Sequence, residues 1–491
     1  MTQLLKTIYK SWRRNAFRSL IVDDYRSWRG IELQVASWHL AKNIQSQKQN
    51  IAILLPTSGM FPVALTAIWC LGKTAVPLNY LLSKEEIDFI IKDSGVDKVI
   101  TVDAMIEMIG GLPEGVNAVK FEDISFGGVP PIKRTPKIDD NHLSALLYTS
   151  GTSGKPKGVM LTEGNLSSNV NQCRKWAGFT KHDVFLGLLP QFHSFGFTVT
   201  TLIPSAIGAR AVYTSRFNQR KVIELLRTHN PTAMLAIPSM FGAVLNAKNA
   251  KPDDFSSIRF AVSGGEALPD SVYKGFIDRF GLTINEGYGL TETSPVTNWC
   301  RPNEQRRGSV GMPIVEVSER IVDENGNDLS AGEDGEIRIK GPNVMKGYFN
   351  LPEETDEVFD ELGYFKTGDI GHLDEDGFLF ITGRLKEMLI IGGENVFPRE
   401  IEEALTDHPD IEAAGVVGRL DDVRGEVAVA FIELSEGTTF DEHKLRAWCR
   451  DRIAPFKVPR NIFVLSELPR NPTGKIMRRE LAKLVAKEVT S

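Results

Sequence analysis

What most constrains this chain is a rhythm: short, wholly apolar runs alternate with segments of helical period. Residues 50–56 (NIAILLP) form an unbroken apolar run, the pattern of a strand buried on both faces. A helix is predicted from Met60, a strand over 75–78, a helix from Ser83 to about Ser94 and a strand over 98–102. Ser83 and Glu86 have the spacing of a capping box. The rhythm returns with strands predicted at 210–213, 233–238, 259–263 and 283–285, and helices at 219–229 and 269–280. Such alternation builds βαβ units on a mostly parallel sheet. From about Gly311 the texture changes to short strands punctuated by Asn325-Gly326, Asp334-Gly335 and Asp376-Gly377. A last unit begins near Glu387, with helices predicted at 398–405 and 440–452 and strands at 413–417, 426–434 and 462–465. The expected class is α/β: a large N-terminal domain of βαβ-built sheets plus a β-rich subdomain, then a small α+β C-terminal domain.

At 491 residues the chain exceeds what one hydrophobic core supports. Its 57 basic and 63 acidic side chains leave a net charge of −6, so it has no global attraction to nucleic acid or to an anionic membrane. The four cysteines (Cys70, Cys173, Cys300, Cys449) show no CxxC spacing, which removes sequence support for zinc or dithiol chemistry and predicts free thiols. The most apolar stretch, 60–71, is too short to span a bilayer and contains Pro62; it reads as a buried helix. The first residues lack the apolar core and small-residue cleavage site of a secretory signal, so a cytoplasmic location is expected.

Several segments carry chemistry. Residues 148–158 (YTSGTSGKPKG) follow the apolar run 143–147. Glycines there let backbone N–H groups approach an anion, and hydroxyls and lysines add donors and charge. The segment reads as a phosphate-binding loop, though it lacks Walker A spacing. Residues 190–196 (PQFHSFG) set His193 among Phe192, Phe195 and Phe197; taken alone, such a histidine is more often packing than chemistry. Residues 263–266 (SGGE) and 285–293 (NEGYGLTET) begin where predicted parallel strands end, the edge at which open α/β sheets bind ligands. Further along come 364–369 (YFKTGD), 383–388 (GRLKEM), 391–398 (IGGENVFP) and 469–475 (PRNPTGK).

In this order and spacing, the segments resemble the motifs of the adenylate-forming superfamily: acyl-CoA synthetases, firefly-type luciferases and nonribosomal adenylation domains. The resemblance covers nearly the whole chain. It implies an ATP- and Mg²⁺-dependent ligase that activates a carboxylic acid as an acyl-adenylate and passes the acyl group to a thiol. By resemblance, Thr149, Ser150, Gly151, Thr152, Ser153, Gly154, Lys155 and Lys157 cradle the phosphates of ATP. Gly264, Gly265, Glu266, Gly287 and Tyr288 sandwich the adenine, Glu286 and Gly289 belong to the same nucleotide-binding set, Thr291 contacts the α-phosphate and Glu292 holds Mg²⁺. His193 sits at the mouth of the acyl pocket. Asp369 binds the ribose hydroxyls, for which two carboxylate oxygens suit two vicinal donors. Arg384 contacts ribose and phosphate. Lys386 is the hinge of a mobile C-terminal domain, dividing the chain into 1–385 and 386–491. Gly392 and Gly393 line the tunnel of the thiol arm, and Lys475 bridges the substrate carboxylate and the α-phosphate.

Amino-acid adenylation domains place an Asp in the segment matching 192–197; here it reads FHSFGF. The resemblance therefore implies an acid without an α-amino group, fatty or arylalkyl. Phe195, Phe197 and residues 238–241 read as an apolar wall, although about half of such side chains are simply core packing. Coenzyme A is the expected acceptor, and acyl carrier protein the alternative. The rival from another class is a catalytically silent homologue acting as a binding module, since fold does not guarantee function.

Overall fold

A computed structural model describes residues 4–489 apart from 129, 131, 133, 134, 151–154, 302, 303, 422–424, 436, 471–473 and 475, and apart from the side chains of 150 and 486–489. The chain divides into two compact units. The first comprises residues 1–265, 276–318 and 339–365; the second comprises 266–275, 319–338 and 366–491.

The first unit is built on two sheets. In one, Asn50–Leu54 is the centre: it pairs in parallel with Thr74–Pro77 and Lys98–Thr101, and all five of its residues are buried, as its unbroken apolar run requires. Asn117–Lys120 extends the sheet on one side; Leu143–Ser150, Pro156–Thr162 and Gly347–Tyr348 extend it on the other. In the other sheet Ser19–Val22, Arg210–Tyr213, Val184–Gly187, Ala233–Ala236, Phe260–Ser263 and Asn285–Gly289 run parallel to one another, with Ser27–Arg29 antiparallel at the edge. Val296–Trp299 and Ser309–Pro313 then continue it in antiparallel pairing. The helix Met60–Cys70 is buried along ten of its eleven residues, which explains why it is apolar all round. Helix Lys84–Ser94 starts at the expected capping box: Glu86 N–H donates to Ser83 Oγ and Ser83 N–H to the Glu86 carboxylate.

One strand differs from expectation. It was predicted at 283–285 and forms at Asn285–Gly289, so the motif NEGYG is itself the strand rather than the loop after it. Its polar and glycine-rich sequence conceals this, because pairing with Val262 and Ser263 on one side and Trp299 on the other makes the strand.

The second unit holds an antiparallel hairpin, Phe365–Leu373 against Leu379–Arg384, and a five-stranded sheet in which Ile411–Asp421 and Gly425–Leu434 form the long central ladder. Its core gathers Leu389, Val396, Ile401, Leu405, Val416, Ala430 and Leu445. All four cysteines are free and buried. Burial pushes the Cys449 thiol up to about 11, which suits packing rather than reactivity. No helix among the described residues is long and apolar enough to cross a membrane.

Candidate active site

In the first unit, the two ends of the glycine-rich segment lie in paired strands. Leu143–Ser150 and Pro156–Thr162 run antiparallel, with Thr149 opposite Lys157 and Ser150 opposite Pro156. Gly151, Thr152, Ser153 and Gly154 lie outside the described residues. The Lys157 ammonium meets the Glu354 carboxylate and stands 5.2 Å over the Tyr348 ring, while the exposed Lys155 lies 6.0 Å from the Phe89 ring. Tyr348, opposite Val159 on the neighbouring strand, donates its hydroxyl to Glu292 Oε1 at 2.9 Å. Burial, reinforced by the Glu292 charge, pushes the Tyr348 phenol well above its usual range, so it stays a donor. Lys157, Tyr348 and Glu292 thus form one chain of contacts. The resemblance names its two ends; the sequence alone has no signal for Tyr348, which is brought there by strand pairing.

A second junction joins the PQFHSFG and YGLTET segments: the Thr291 hydroxyl donates to Ser194 Oγ at 3.1 Å. The one-turn helix Thr291–Thr293 sets the side chains, and Met345 N–H donates to the Glu292 carbonyl at 2.7 Å. His193 is exposed rather than packed among the neighbouring phenylalanines, and Phe195 N–H donates to its Nδ1 at 3.4 Å. Phe197 and Phe241 correct an expectation: both are fully buried and pack edge-on against Phe61 and Phe276, so they are core and not pocket wall. Phe195 is half-buried, and a Cβ on Gly264 would stand 3.2 Å from its ring.

The glycines divide by role. A Cβ on Gly287 would lie 2.2 Å from Trp299, so this position makes room for a core ring. Gly265 has a φ of +88° and faces open space except for Ile237. Glu286 is buried and paired with Arg307, and the Tyr288 carbonyl accepts from Thr297. Gly289 abuts the Pro295 carbonyl, and Glu266 belongs to the second unit.

In the second unit, hairpin register places Asp369 directly opposite Arg384, and the guanidinium Nε holds Asp369 Oδ1 at 2.9 Å. Asp369 is 3% exposed, whereas Arg384 and Lys386 are exposed. Lys386 stands in the one-turn helix Leu385–Glu387. The next hairpin, Leu389–Ile391 with Glu394–Val396, turns at Gly392 (φ +65°) and Gly393 (φ +88°). Two consecutive positive φ values make the tight turn that demands glycine, and nothing lies within 4 Å of either missing side chain. Lys475 lies outside the described residues.

The donor set fits ATP with magnesium. Among the described residues no three His, Cys, Asp or Glu side chains gather to hold a metal. A Mg²⁺ site built on one carboxylate plus substrate phosphates needs no such cluster, and Glu292 with its phenol partner is a carboxylate of that kind.

Residues 10–349 match the family described as AMP-binding enzyme, and 400–475 match the AMP-binding enzyme C-terminal domain. The chain belongs to the AMP-binding enzyme family. This AMP-binding enzyme is 33% identical to a long-chain-fatty-acid–CoA ligase of Bacillus subtilis over 91% of its own length and 88% of that protein. It is also 33% identical to a feruloyl-CoA synthase of an Amycolatopsis species, covering 88% of each. In structure it resembles the o-succinylbenzoate CoA synthetase of Bacillus subtilis bound to its acyl-adenylate intermediate, with a TM-score of 0.87, 31% identity and 97% of each chain covered. The same synthetase bound to ATP and a magnesium ion matches with a TM-score of 0.86 at 30% identity, covering 97% of this chain and 99% of that one. The enzyme is an AMP-forming acid–thiol ligase that uses ATP and Mg²⁺.

Proposed function

We propose that this ligase activates an apolar carboxylic acid lacking an α-amino group, a fatty or arylalkyl acid, and transfers it to coenzyme A. One observation carries the acid class: no carboxylate occurs in residues 190–197 or 236–241, where Phe195, Ile237 and Met240 are half-buried apolar side chains. An ammonium group there would be desolvated without a counter-charge. Each relative named above is a coenzyme A ligase or synthase, which supports that acceptor over acyl carrier protein.

The assigned roles follow from the chemistry. A carboxylate and a triphosphate repel each other, so the protein must hold both and screen their charge. Lys475 stabilises charge where the carboxylate attacks the α-phosphorus, and the Thr291 hydroxyl turns from Ser194 to an α-phosphate oxygen. The glycine-rich segment with Lys155 and Lys157 receives the departing pyrophosphate. His193, free of the core, stands at the acyl entrance. Glu292 would hold Mg²⁺, which when bound neutralises phosphate charge; Tyr348 orients that carboxylate. Gly264, Gly265 and Tyr288 receive the adenine. Asp369 takes the ribose hydroxyls, with Arg384 fixing its carboxylate. These contributions are positioning plus electrostatic stabilisation. For thioester formation, residues 386–491 rotate about Lys386, withdrawing Lys475 and bringing in Gly392 and Gly393.

The test is pyrophosphate release with a panel of acids, each without thiol, with coenzyme A and with acyl carrier protein. Sustained turnover with an apolar acid and coenzyme A is expected. Preference for an amino acid would refute the acid class; turnover only with carrier protein would refute the acceptor. Silence across the panel would refute both.

A further inference from the structure

Away from the residues just described, a cavity of about 410 Å³ opens beside the first helix, Leu4–Arg14, and the short helix Ile203–Ile207. Lys10, Arg14 and Lys181 contribute its charge, Ser11 and Asn15 its polar floor, and Ile207 part of an apolar wall; no acidic side chain lines it. We propose that this cavity binds a phosphate-bearing anion.

The local charge is opposite to that of the whole chain. The first eighteen residues hold five cations (Lys6, Lys10, Arg13, Arg14, Arg18) and no acid, although the net charge is −6. The helix buries Leu4, Leu5, Ile8, Tyr9 and Trp12, which turns Lys10 and Arg14 outward one turn apart. Like charges at that spacing destabilise a helix, and an anion between them reverses the sign. Arginine and lysine together suit phosphate, one by its fork of donors and the other as a point charge.

The floor points the same way. Ser11 is 8% exposed, and its Oγ has no hydrogen-bond partner among the described residues. A buried hydroxyl left unpaired is costly, so the site lacks a polar partner. Gly208 abuts both side chains: a Cβ there would stand 3.0 Å from Ser11 Oγ and 2.7 Å from Asn15 Nδ2, so only glycine leaves them where they are. Asn15 spends one N–H on the Ser11 carbonyl at 2.9 Å, and its amide carries a second. The wall is held by Arg18, which donates to the carbonyls of Lys181 at 2.8 Å and Gly208 at 3.2 Å.

A soluble phosphate ester and a phospholipid headgroup share this chemistry, and two arms separate them. The full chain, saturated with AMP, is titrated with glycerol phosphate by calorimetry. It is also sedimented with phosphatidylcholine vesicles that do or do not contain phosphatidic acid. Binding is expected in at least one arm, weakened tenfold or more by Lys10→Glu/Arg14→Glu, with pyrophosphate release unchanged. Lys181→Glu, on a separate segment, should weaken it as well and guards against misfolding of the helix. Lys6→Glu/Arg13→Glu makes the same charge change outside the cavity and should leave binding within about twofold. Absence of binding in both arms overturns the proposal. So does binding that survives the cavity variants, or that falls equally with Lys6→Glu/Arg13→Glu.

Discussion

Arg478 offers the sharpest test of how the second unit is held together. It opens the last helix, Arg478–Val489, and its guanidinium is shared by two acids: Nη2 and Nε reach Glu402 at 2.6 and 3.2 Å, and Nη1 reaches Glu387 at 2.7 Å. Glu402 also accepts from Val416 N–H at 2.7 Å, so the network ties the helix Pro398–Thr406 to the long central ladder. Burial raises the Glu402 carboxyl above its usual range, with Arg478 pulling the other way but not far enough. Arg478→Met keeps the stem's packing and removes the cation. The Glu402 carboxylate, 15% exposed, is then left with a single backbone donor, a loss of about 3 kcal/mol, the low end for a broken buried pair. The sign with pH follows from the raised carboxyl. Protonation of Glu402 is favoured in the folded state, so the deficit of the variant shrinks as pH falls through that raised value and is largest above it. Hydrogen exchange of the peptide covering residues 411–417 reads this unit alone, where a whole-chain melt would mix two units. Exchange should be faster in Arg478→Met at pH 8, and the gap should narrow at pH 5. Arg478→Met/Glu402→Gln should recover most of the protection, since the amide oxygen still accepts from Val416 N–H and only Glu387, 29% exposed, loses a partner. Protection within about 1 kcal/mol of wild type at pH 8, or a deficit that grows on acidification, would refute the reasoning, given the size expected for a broken buried pair.

Other outcomes follow from the same reading. Asp183 is pulled up by burial, but hydrogen bonds from Arg259, Thr180 and Thr232 outweigh this and hold it below its usual range. Its stabilisation is present above the unfolded carboxyl range and is lost as pH falls, so Asp183→Asn should cost about 3 kcal/mol near neutrality and progressively less in acid; a pH-independent difference in melting would contradict this. Tyr348→Phe removes the donor on Glu292 and should raise the Mg²⁺ concentration for half-maximal pyrophosphate release by about tenfold, the scale of lost outer-shell partners; an unchanged Mg²⁺ dependence would sever Tyr348 from that role. Lys475→Ala should slow adenylation by about 10²-fold or more, as loss of a transition-state donor does, while sparing thioester formation from supplied acyl-adenylate; equal losses in both half-reactions would remove it from the first step. Lys386→Pro should spare acyl-adenylate formation and block thioester formation, and intact thioester turnover would displace the hinge.

Local signals were legible wherever the physics is local. The capping box at Ser83, the all-apolar helix from Met60 and the alternation of parallel strands need only near neighbours in sequence, and each forms as read. The motifs placed the chain in its superfamily for a related reason: phosphate, ribose and metal each demand particular residue types, and their order along the chain is itself information. What failed was read from residue type without partners. NEGYG has little strand character, and becomes a strand because Ser263 and Trp299 offer backbone on both sides. Phe197 and Phe241 look like pocket wall in sequence, and packing takes both to the core.

By itself, then, the sequence determined the fold class, the superfamily and the residue types available for acid activation. Tertiary structure alone decided which of them meet. It set Tyr348 on Glu292, Ser194 on Thr291 and Arg384 on Asp369, joined Arg478 to Glu402, and left Ser11 facing a basic cavity beside Gly208. Those contacts join residues far apart in the chain, where only strand pairing and packing, not sequence periodicity, bring side chains within a few ångströms.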